Sequence, residues 1–450
     1  MEYYTNLLLE KDPSQNSWGI CGLSLLPFDE RLFNALQSQQ GCYSLTVCGR
    51  DGKDEVFAIG SLVDQIYGIK DPEAVINKIA DPSIKIISMT ITEGGYNIDK
   101  ETNEFSLSEP KVAADIENKA QHPNTVFGFV AAGLKRRMDN KAGPITILSC
   151  DNLQHNGNTC KKAFTSFFKA YDNQLFEWVQ SNVTFPNAMV DRITPAVTPA
   201  DIERLNKANG IDDKAPIYTE DFIQWVIEDN FIAGRPAWEQ VGVQFTDDVT
   251  AFENMKLSLL NASHQLLSYP SFFGGYRKVD DAMQDKRVVK YLEDFMNIDI
   301  TPYVPAPPET NLALYKKTLI ERFANKSVCD QIARLCFDGA AKIPVYIMPN
   351  LCKMINDNKD LKRVTFFAAM YRHYLRNTKD IKGVEYKVND PWFTDEDWQK
   401  IKNDDPVIFL TTTPFQMIKL DAAEKFRVQY LEFCEKLLTT DPLLILDTII

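Results

Sequence analysis

Residues 145–180 read ITILSCDNLQHNGNTCKKAFTSFFKAYDNQLFEWVQ. Ile145 to Cys150 is a short apolar run, which is typical of a buried strand, and Thr159 to Gln180 predicts one long helix. The turn between them contains asparagines and a glycine, which favour turns and helix starts. A buried strand that leads into a helix is the repeating unit of a parallel sheet with helices on both faces.

The same alternation extends through the first half of the chain. Further strands are predicted at Trp18–Leu26, Tyr43–Cys48, Val56–Ile59, Ile84–Ile91, 223–227 and 241–245, with a helix at Thr125–Arg137. From Asp248 onward the pattern is helical, with helices predicted at 249–269, 309–324, 327–338, 346–357, 361–376 and 421–438. We therefore expect an α/β fold: a mostly parallel sheet domain over residues 1–247, then a mainly α-helical domain over residues 248–450.

The composition argues for a soluble protein that binds neither nucleic acid nor membrane. The net charge is −13, and no basic patch interleaved with aromatic residues appears. The nine cysteines are dispersed, as expected for reduced core thiols, and four histidines without a His-Glu-x-x-His motif argue against zinc. Because we find neither a signal peptide nor an apolar run of membrane-spanning length, we expect a cytoplasmic protein.

A lysine, an asparagine and a histidine interrupt the apolar stretch Met255–His264, MKLSLLNASH. With an α-helical rotation of about 100° per residue, Asn261 lies about 140° from Lys256 and His264 about 80° from it, so all three occupy one broad sector. A helix that is apolar all round is buried, and burial disfavours the charged amine, which makes a lysine usable as a base near neutral pH. The alternative is a lysine whose ammonium reaches solvent beside a capped polar pair of the core.

Three segments follow predicted strands, which is where open parallel sheets bind ligands. They are Thr92-Glu93-Gly94-Gly95-Tyr96, the turn Asp151 to Gly157, and residues 185–195 with the charged pair Asp191-Arg192. Each also has an ordinary structural explanation, namely a Gly-Gly turn, an asparagine-rich helix cap and a surface ion pair.

Together these motifs carry a family resemblance. They are TEGGY (92–96), SCDNLQHNG (149–157), FPNAMVDRITP (185–195), FIQWVIEDNFIAGRPAWEQVGVQFTDDV (222–249), MKLSLLNASH (255–264) and DGAAKIP (338–344). In this order they make the chain resemble the polyol-specific long-chain dehydrogenases, the group of mannitol dehydrogenases and fructuronate reductases. The resemblance covers nearly the whole chain and is weakest after about residue 380. It implies a Rossmann-type first domain and oxidation of a secondary alcohol with NAD or NADP, without a metal.

The resemblance implies catalytic roles for four residues. Lys256 matches the general base of the family. Asn152 and Asn261 match the two amides that hold the reacting oxygen, and His264 matches a residue that orients the substrate and the lysine. Uncharged amides suit such a base, because they bond to oxygen without holding the lysine in its charged form.

The resemblance also implies binding roles. Asp191, Arg334 and Lys342 match polar groups that hold the remaining substrate hydroxyls, and Glu93 matches a carboxylate on a path for protons. Asp29 stands where the family places an acid toward the adenosine ribose, which would favour NAD over NADP. The alternative for Asp29 is that Asp29-Glu30-Arg31 simply begins a helix with acids in its first turn.

The beginning of the chain departs from the family. The family opens with a strand and the turn Gly-x-Gly-x-Phe-His-Arg, whose amides bind pyrophosphate; here the resemblance begins at Tyr3-Tyr4-Thr5, and Gly19–Gly22 has the wrong spacing. We interpret the difference as an N-terminal truncation. The alternatives are a natural fragment that has lost activity and a substitute loop. As given, the polypeptide is expected to bind NAD poorly.

The expected activity is the reversible, NAD-dependent oxidation of D-mannitol to D-fructose by a metal-independent monomer with a lysine base. Alternatives in the same family are a hexuronate (fructuronate or tagaturonate) reductase, which would require an additional cation in its pocket, and a D-arabinitol dehydrogenase. Outside enzymes, the alternative is an inactive remnant.

Overall fold

The computed structural model describes residues 1–15, 18–99 and 102–450. Its chain separates into two compact units. The first unit comprises Met1–Cys48 and Asp54–Thr250, and the second comprises Gly49–Lys53 and Ala251–Ile450. The domain limits predicted from the sequence, 1–247 and 248–450, stay a prediction.

The strands of the described residues all lie before residue 247. They are β1 Ile20–Ser24, β2 Tyr43–Cys48, β3 Asp54–Ile59, β4 Leu62–Tyr67, β5 Ile86–Met89, β6 Ile145–Ser149, β7 Val183–Thr184, β8 Ala188–Asp191, β9 Ile217–Glu220, β10 Gln224–Glu228 and β11 Gln244–Thr246. Parallel pairs join β1 to β4, β5 to β6, β6 to β7, β2 to β9 and β10 to β11. Antiparallel pairs join β2 to β3 and β8 to β10. The pairing is mostly parallel, as predicted.

Helices cover both faces of the central strands of the first unit. They are α1 Glu2–Lys11, α2 Glu30–Ser38, α3 Pro72–Ala80, α4 Pro110–Glu117, α5 Val126–Asp139, α6 Asn156–Tyr171, α7 Asn173–Asn182 and α8 Pro199–Asn209. In β6, Ile147 belongs to the apolar cluster formed with α3, α5 and α6, whereas the next residue, Leu148, belongs to the cluster formed with α1. Successive side chains of a strand point to opposite faces, so both faces of β6 are buried.

One long helix predicted at 159–180 is two helices in the structure. Asp172 separates α6 from α7, and its backbone is extended, with φ −158°. Its carboxylate accepts the N–H of Gln174 at 2.8 Å and the N–H of Leu175 at 3.1 Å. Asp172 thus caps a new helix, which the apolar periodicity on both sides of it conceals.

The second unit is helical in its described residues. Its α-helices are α9 Thr250–Met255, α10 Ala262–Phe273, α11 Val279–Ala282, α12 Lys286–Asp294, α13 Leu312–Phe323, α14 Ile332–Cys336, α15 Gly339–Tyr346, α16 Met348–Asn356, α17 Lys362–Arg376, α18 Asp395–Lys402, α19 Pro406–Phe409, α20 Glu424–Lys436 and α21 Pro442–Leu446. Two π-helices, Lys256–Asn261 and Phe295–Ile300, interrupt this series. The predicted fold class, an α/β domain of Rossmann type followed by a mainly α-helical domain, is confirmed.

Candidate active site

The lysine-bearing segment is a buried, continuous helix of three parts. It runs from α9 through the first π-helix, Lys256–Asn261, into α10 without a break. Every side chain of the first π-helix and of α10 is buried, and Lys256 is 8% exposed. The prediction that this apolar stretch is buried is confirmed, and the role of the Lys256 amine as a base stays a prediction.

The π-helical turn corrects the predicted geometry of the segment. A π-helix bonds residue i to residue i+5, whereas an α-helix bonds i to i+4. Ala262 N–H accordingly donates to Leu257 O. Lys256 and Asn261, five residues apart, are therefore the two ends of one π-turn, and their separation around the helix axis is smaller than the 140° expected for an α-helix.

Asn261 presents an unsatisfied acceptor. Among the described residues, no donor reaches its Oδ1, although this atom is buried and the residue is 8% exposed. A buried acceptor without a donor costs about 1–3 kcal/mol, so it calls for an explanation such as a ligand that supplies the donor. A ligand hydroxyl would meet that need.

His264 and Glu253 flank the lysine along the same helix. The ring of His264 lies 4.4 Å from the ring of Phe323 of α13, centroid to centroid, and the residue is 8% exposed. Glu253, which sequence reasoning missed, is 3% exposed and lies three residues before Lys256, a spacing that places two side chains on one helix face. A carboxylate spaced one turn from a lysine inside an apolar helix is the signal that would have found it.

Helix α16 is hydrogen-bonded to the first π-helix. Asn350 Nδ2 donates to Ser258 Oγ at 2.8 Å, and both residues are buried. This bond between two buried polar groups fixes the π-turn against a neighbouring helix.

Arg334 and Lys342 lie on helices packed against the lysine-bearing segment. Helix α14, with Arg334, packs on α10, and α15, with Lys342, packs on the first π-helix. The guanidinium of Arg334 donates to both carboxylate oxygens of Asp330, at 2.9 and 2.6 Å. The ammonium of Lys342 donates to Phe337 O at 2.5 Å, and burial lowers its pKa while Asp338 opposes that shift.

Asn152 and Asp191 lie on two segments of the first unit that one asparagine joins. Asn152 is an exposed residue of the turn after β6, and Asp191, the last residue of β8, is 5% exposed. Asn156 Nδ2 donates to Asp151 O at 3.0 Å and to Ala188 O at 2.7 Å, while Ala188 N–H donates to Asn156 Oδ1 at 2.8 Å. Asp191-Arg192 is not the surface pair considered above, because Asp191 is buried and Arg192 lies over the ring of Tyr3 at 4.7 Å.

Asp151 is a second residue that sequence reasoning missed. Its buried carboxylate accepts the N–H of Ile91 at 3.0 Å, the N–H of Thr92 at 2.8 Å and the hydroxyl of Tyr96 at 2.7 Å. It thereby fixes the TEGGY loop, in which Glu93 begins a 3-10 turn. The side chain of Glu93 lies outside what the structure describes.

Asp29 ends a short 3-10 turn, Pro27–Asp29, at the start of α2. Its carboxylate accepts the N–H of Leu26 at 3.1 Å. The helix-start explanation therefore describes what the side chain does here, and a role toward a ribose stays a prediction.

The predicted site residues thus fall into two groups. Glu93, Asn152, Asp191 and Asp29 belong to the first unit; Lys256, Asn261, His264, Arg334 and Lys342 belong to the second, on helices that pack on the lysine-bearing segment or form part of it. In the part of the chain that the structure describes, no three His, Cys, Asp or Glu side chains form a group that could hold a metal ion. None of the described helices has the length and apolar character needed to cross a membrane.

Comparison with known proteins identifies the family. Residues 3–240 match the family model of the mannitol dehydrogenase Rossmann domain, and residues 248–429 match that of the mannitol dehydrogenase C-terminal domain. A polyol:NADP oxidoreductase of Gluconobacter oxydans (strain 621H) is 42% identical over 405 residues, which are 90% of this chain and 82% of that protein.

Two solved structures share the whole fold. A D-sorbitol dehydrogenase in substrate-free form matches with a TM-score of 0.91 and 38% identity, covering 98% of this chain and 91% of its own. The Pseudomonas fluorescens mannitol 2-dehydrogenase in ternary complex with NAD and D-mannitol matches with a TM-score of 0.88 and 37% identity, covering 100% of this chain and 91% of its own. From its two matched domains and these relatives, the chain belongs to the mannitol dehydrogenase family and is an oxidoreductase.

Proposed function

We propose that this chain oxidises a polyol at a secondary carbon, reversibly converting D-mannitol to D-fructose with NAD, and that Lys256 is the general base. The observation that carries the proposal is the buried π-turn, which begins at Lys256 and ends at Asn261, an amide whose buried Oδ1 has no donor among the described residues. A structural relative was solved with NAD and D-mannitol, which are the ligands proposed here.

The chemistry assigned to these residues is proton transfer and stabilisation of charge on oxygen. Burial disfavours charge on an amine, so a larger fraction of a buried lysine than of an exposed one is neutral near pH 7 and can act as a base toward the hydroxyl proton. We assign to Asn261 and Asn152 the binding of the reacting oxygen, and to His264, held against Phe323, the orientation of the substrate. This mechanism needs no metal.

The charges on α14 and α15 favour a polyol over a hexuronate. Asp330 neutralises Arg334 through two hydrogen bonds, and the ammonium of Lys342 is directed to a backbone carbonyl. A uronate carboxylate would have to compete with Asp330 for the guanidinium, whereas neutral hydroxyls can bond to the groups as they stand. We therefore assign Arg334, Lys342 and Asp191 to the substrate hydroxyls, and we keep Glu93 as the proposed proton path.

The residues near Asp29 fit the adenosine part of a dinucleotide. Leu26 is 48% exposed and Phe28 is 79% exposed, so apolar surface flanks the Asp29 carboxylate just beyond the carboxyl end of β1. A flat base can pack on such surface, while the carboxylate accepts bonds from ribose hydroxyls and repels a 2′-phosphate. Bound there, NAD would supply the hydride acceptor. One relative is a polyol:NADP oxidoreductase, so the preference for NAD needs a test of its own. The test compares the rates of the Asp29→Ser variant with NADP and with NAD.

The decisive experiment compares Lys256→Met with a matched lysine variant. Initial rates are measured on D-mannitol, D-arabinitol and D-sorbitol with NAD and NADP, and on D-fructose and D-fructuronate with the reduced cofactors, before and after treatment with EDTA. Lys256→Met should lower kcat by about 10²–10⁴-fold, the usual contribution of general base catalysis. Lys317→Met, at a side chain that is 74% exposed, should leave kcat unchanged.

Three results would contradict the proposal. They are a Lys256→Met enzyme that retains its kcat, a loss of activity on chelation, and a preference for D-fructuronate. The absence of turnover with all of these substrates would favour the inactive remnant. Sedimentation of the purified chain would test the proposed monomer.

A further inference from the structure

Helix α15 receives its N-terminal cap from a segment fifty residues away. The N-cap residue Asp338 is left-handed, with φ 61°, and its own side chain makes no cap hydrogen bond. Instead, the carboxylate of Asp390 accepts the N–H of Ala340 at 2.8 Å. The first N–H groups of a helix lack partners within the helix, and a carboxylate there also interacts favourably with the helix dipole.

The carboxylate of Asp390 also accepts hydrogen bonds from two residues outside α15. Asp390 is 6% exposed, and its carboxylate accepts the hydroxyl of Tyr371 at 3.1 Å and the N–H of Trp392 at 3.2 Å. Trp392 Nε1 in turn donates to Asp338 Oδ1 at 3.1 Å. The segment 390–392 therefore holds the turn 338–340 on both sides.

The turn 338–340 is closely packed against its neighbours. A Cβ on Gly339 would lie 2.7 Å from the hydroxyl of Tyr371 and against the hydroxyl of Tyr269 of α10. Both tyrosines are fully buried, so neither ring can easily move away. The position of the α15 N-terminus is thus set between the lysine-bearing helix and Asp390.

Lys342 lies two residues after Ala340 on α15, and α15 packs on the first π-helix. A displacement of the α15 N-terminus therefore moves Lys342 relative to Lys256. We propose that Asp390 is a positioning residue, which holds α15 so that Lys342 meets the substrate at the right distance from Lys256. This inference rests on the proposed function, because it takes Lys342 to bind the substrate.

The test measures the KM for D-mannitol, the KM for NAD and kcat in Asp390→Ala, Asp390→Asn and Lys342→Met. Asp390→Ala should raise the KM for D-mannitol about tenfold or more, since small misplacements of a binding group have such effects. The KM for NAD should stay within about twofold. Asp390→Asn keeps an acceptor for the Ala340 N–H and should recover most of the affinity. A purely structural role would instead lower the active fraction, and with it kcat, while leaving both KM values unchanged.

Asp285→Ala is the matched control, because Asp285 caps α12 by accepting the N–H of Arg287 at 3.0 Å and has a 9% exposed carboxylate. It should leave the KM for D-mannitol unchanged. An equal rise in the KM for D-mannitol in Asp390→Ala and Asp285→Ala would overturn the inference. A fall in kcat in Asp390→Ala with no change in this KM would overturn it too. If Lys342→Met leaves the KM for D-mannitol unchanged, Lys342 does not bind the substrate. That result contradicts the proposed function and is distinct from a failure of the role of Asp390.

Two measurements keep the test decisive if Asp390→Ala folds poorly or the enzyme is slow. Trp392→Phe removes the Nε1–H donor to Asp338 and should raise the KM for D-mannitol by a smaller factor than Asp390→Ala does. Amide hydrogen exchange over residues 339–346 should accelerate in Asp390→Ala, accelerate less in Asp390→Asn, which keeps an acceptor, and stay unchanged in Asp285→Ala. Unchanged exchange in Asp390→Ala would overturn the inference without any assay of activity.

Discussion

Gly157→Ala would test how tightly the start of α6 is seated against the segment that leads into β8. A Cβ at residue 157 would lie 2.5 Å from the carbonyl carbon of Pro186 and 2.7 Å from the amide nitrogen of Asn187. These are backbone atoms, which cannot rotate away as a side chain can. The substitution therefore forces the two segments apart.

The structure sets the size of the effect. Ordinary contact begins at 3.4 Å, so the separation must grow from 2.5 Å by 0.9 Å. Overpacking of this kind costs about 1–3 kcal/mol, and the better helix propensity of alanine returns about 0.5–1 kcal/mol. We expect a net loss of about 1 kcal/mol, and no more than about 2.5 kcal/mol, in the free energy of unfolding of the first unit. The bonds of Asn156 to Ala188, at 2.7 and 2.8 Å, would be strained in the same movement.

The assay is urea unfolding followed by pulsed hydrogen exchange, which reports α6 and β8 separately and does not require both units to unfold together. Gly60→Ala is the matched control, since the nearest atom to its Cβ is Cys42 Sγ at 3.9 Å. Because the displaced segments carry Asn152 and Asp191, kcat/KM for D-mannitol should also fall about tenfold or more. A Gly157→Ala chain as stable as Gly60→Ala, with unchanged exchange in β8, would refute the reasoning.

Two further predictions concern the second unit. Burial, with Arg372 nearby, lowers the pKa of His373 from 6.5 to about 4, so the unfolded chain takes up the proton first and stability is lost as the pH falls from about 6.5 towards 4. At 1.36 kcal/mol per pKa unit, the loss of stability reaches about 3 kcal/mol. His373→Gln should flatten this part of a plot of melting temperature against pH. An unchanged plot would contradict the role given to His373. Asp299→Asn should cost about 3–5 kcal/mol in thermal melts, because it leaves Arg363 charged in a pair whose side chains are each 3% exposed. Asp299→Leu combined with Arg363→Met should recover most of that stability, and a double variant no better than the single one would contradict the explanation.

The burial of the lysine-bearing helix could be predicted, but its π-turn could not. Apolar residues on all sides of Met255–His264 predict a buried helix whatever its pitch. The same property leaves no polar face from which the rotation per residue could be read. The relative position of Lys256 and Asn261 around the helix axis could therefore be obtained only from the structure, from the hydrogen bonds of the π-turn.

The alternation of strands and helices predicted the sheet because both faces of β6 are buried, as the run Ile145 to Cys150 indicates. The break at Asp172 was missed although aspartate is a common helix cap. An apolar face on each side of Asp172 continued the helical period, and one cap residue within a periodic stretch is a weaker signal than the period.

Two buried acids show why the supports of the candidate site escaped prediction. Asp151 accepts amides sixty residues before it, and Asp390 accepts an amide fifty residues before it, so neither partner could be identified from spacing along the chain. In the sequence each is one acid in a polar segment, like many that lie on the surface. Yet each fixes the backbone of a loop or helix start that carries a proposed site residue, Glu93 in one case and Lys342 in the other. Because both act as acceptors of backbone N–H groups, asparagine should replace either of them with less loss than alanine, which offers no acceptor and leaves a buried amide unpaired.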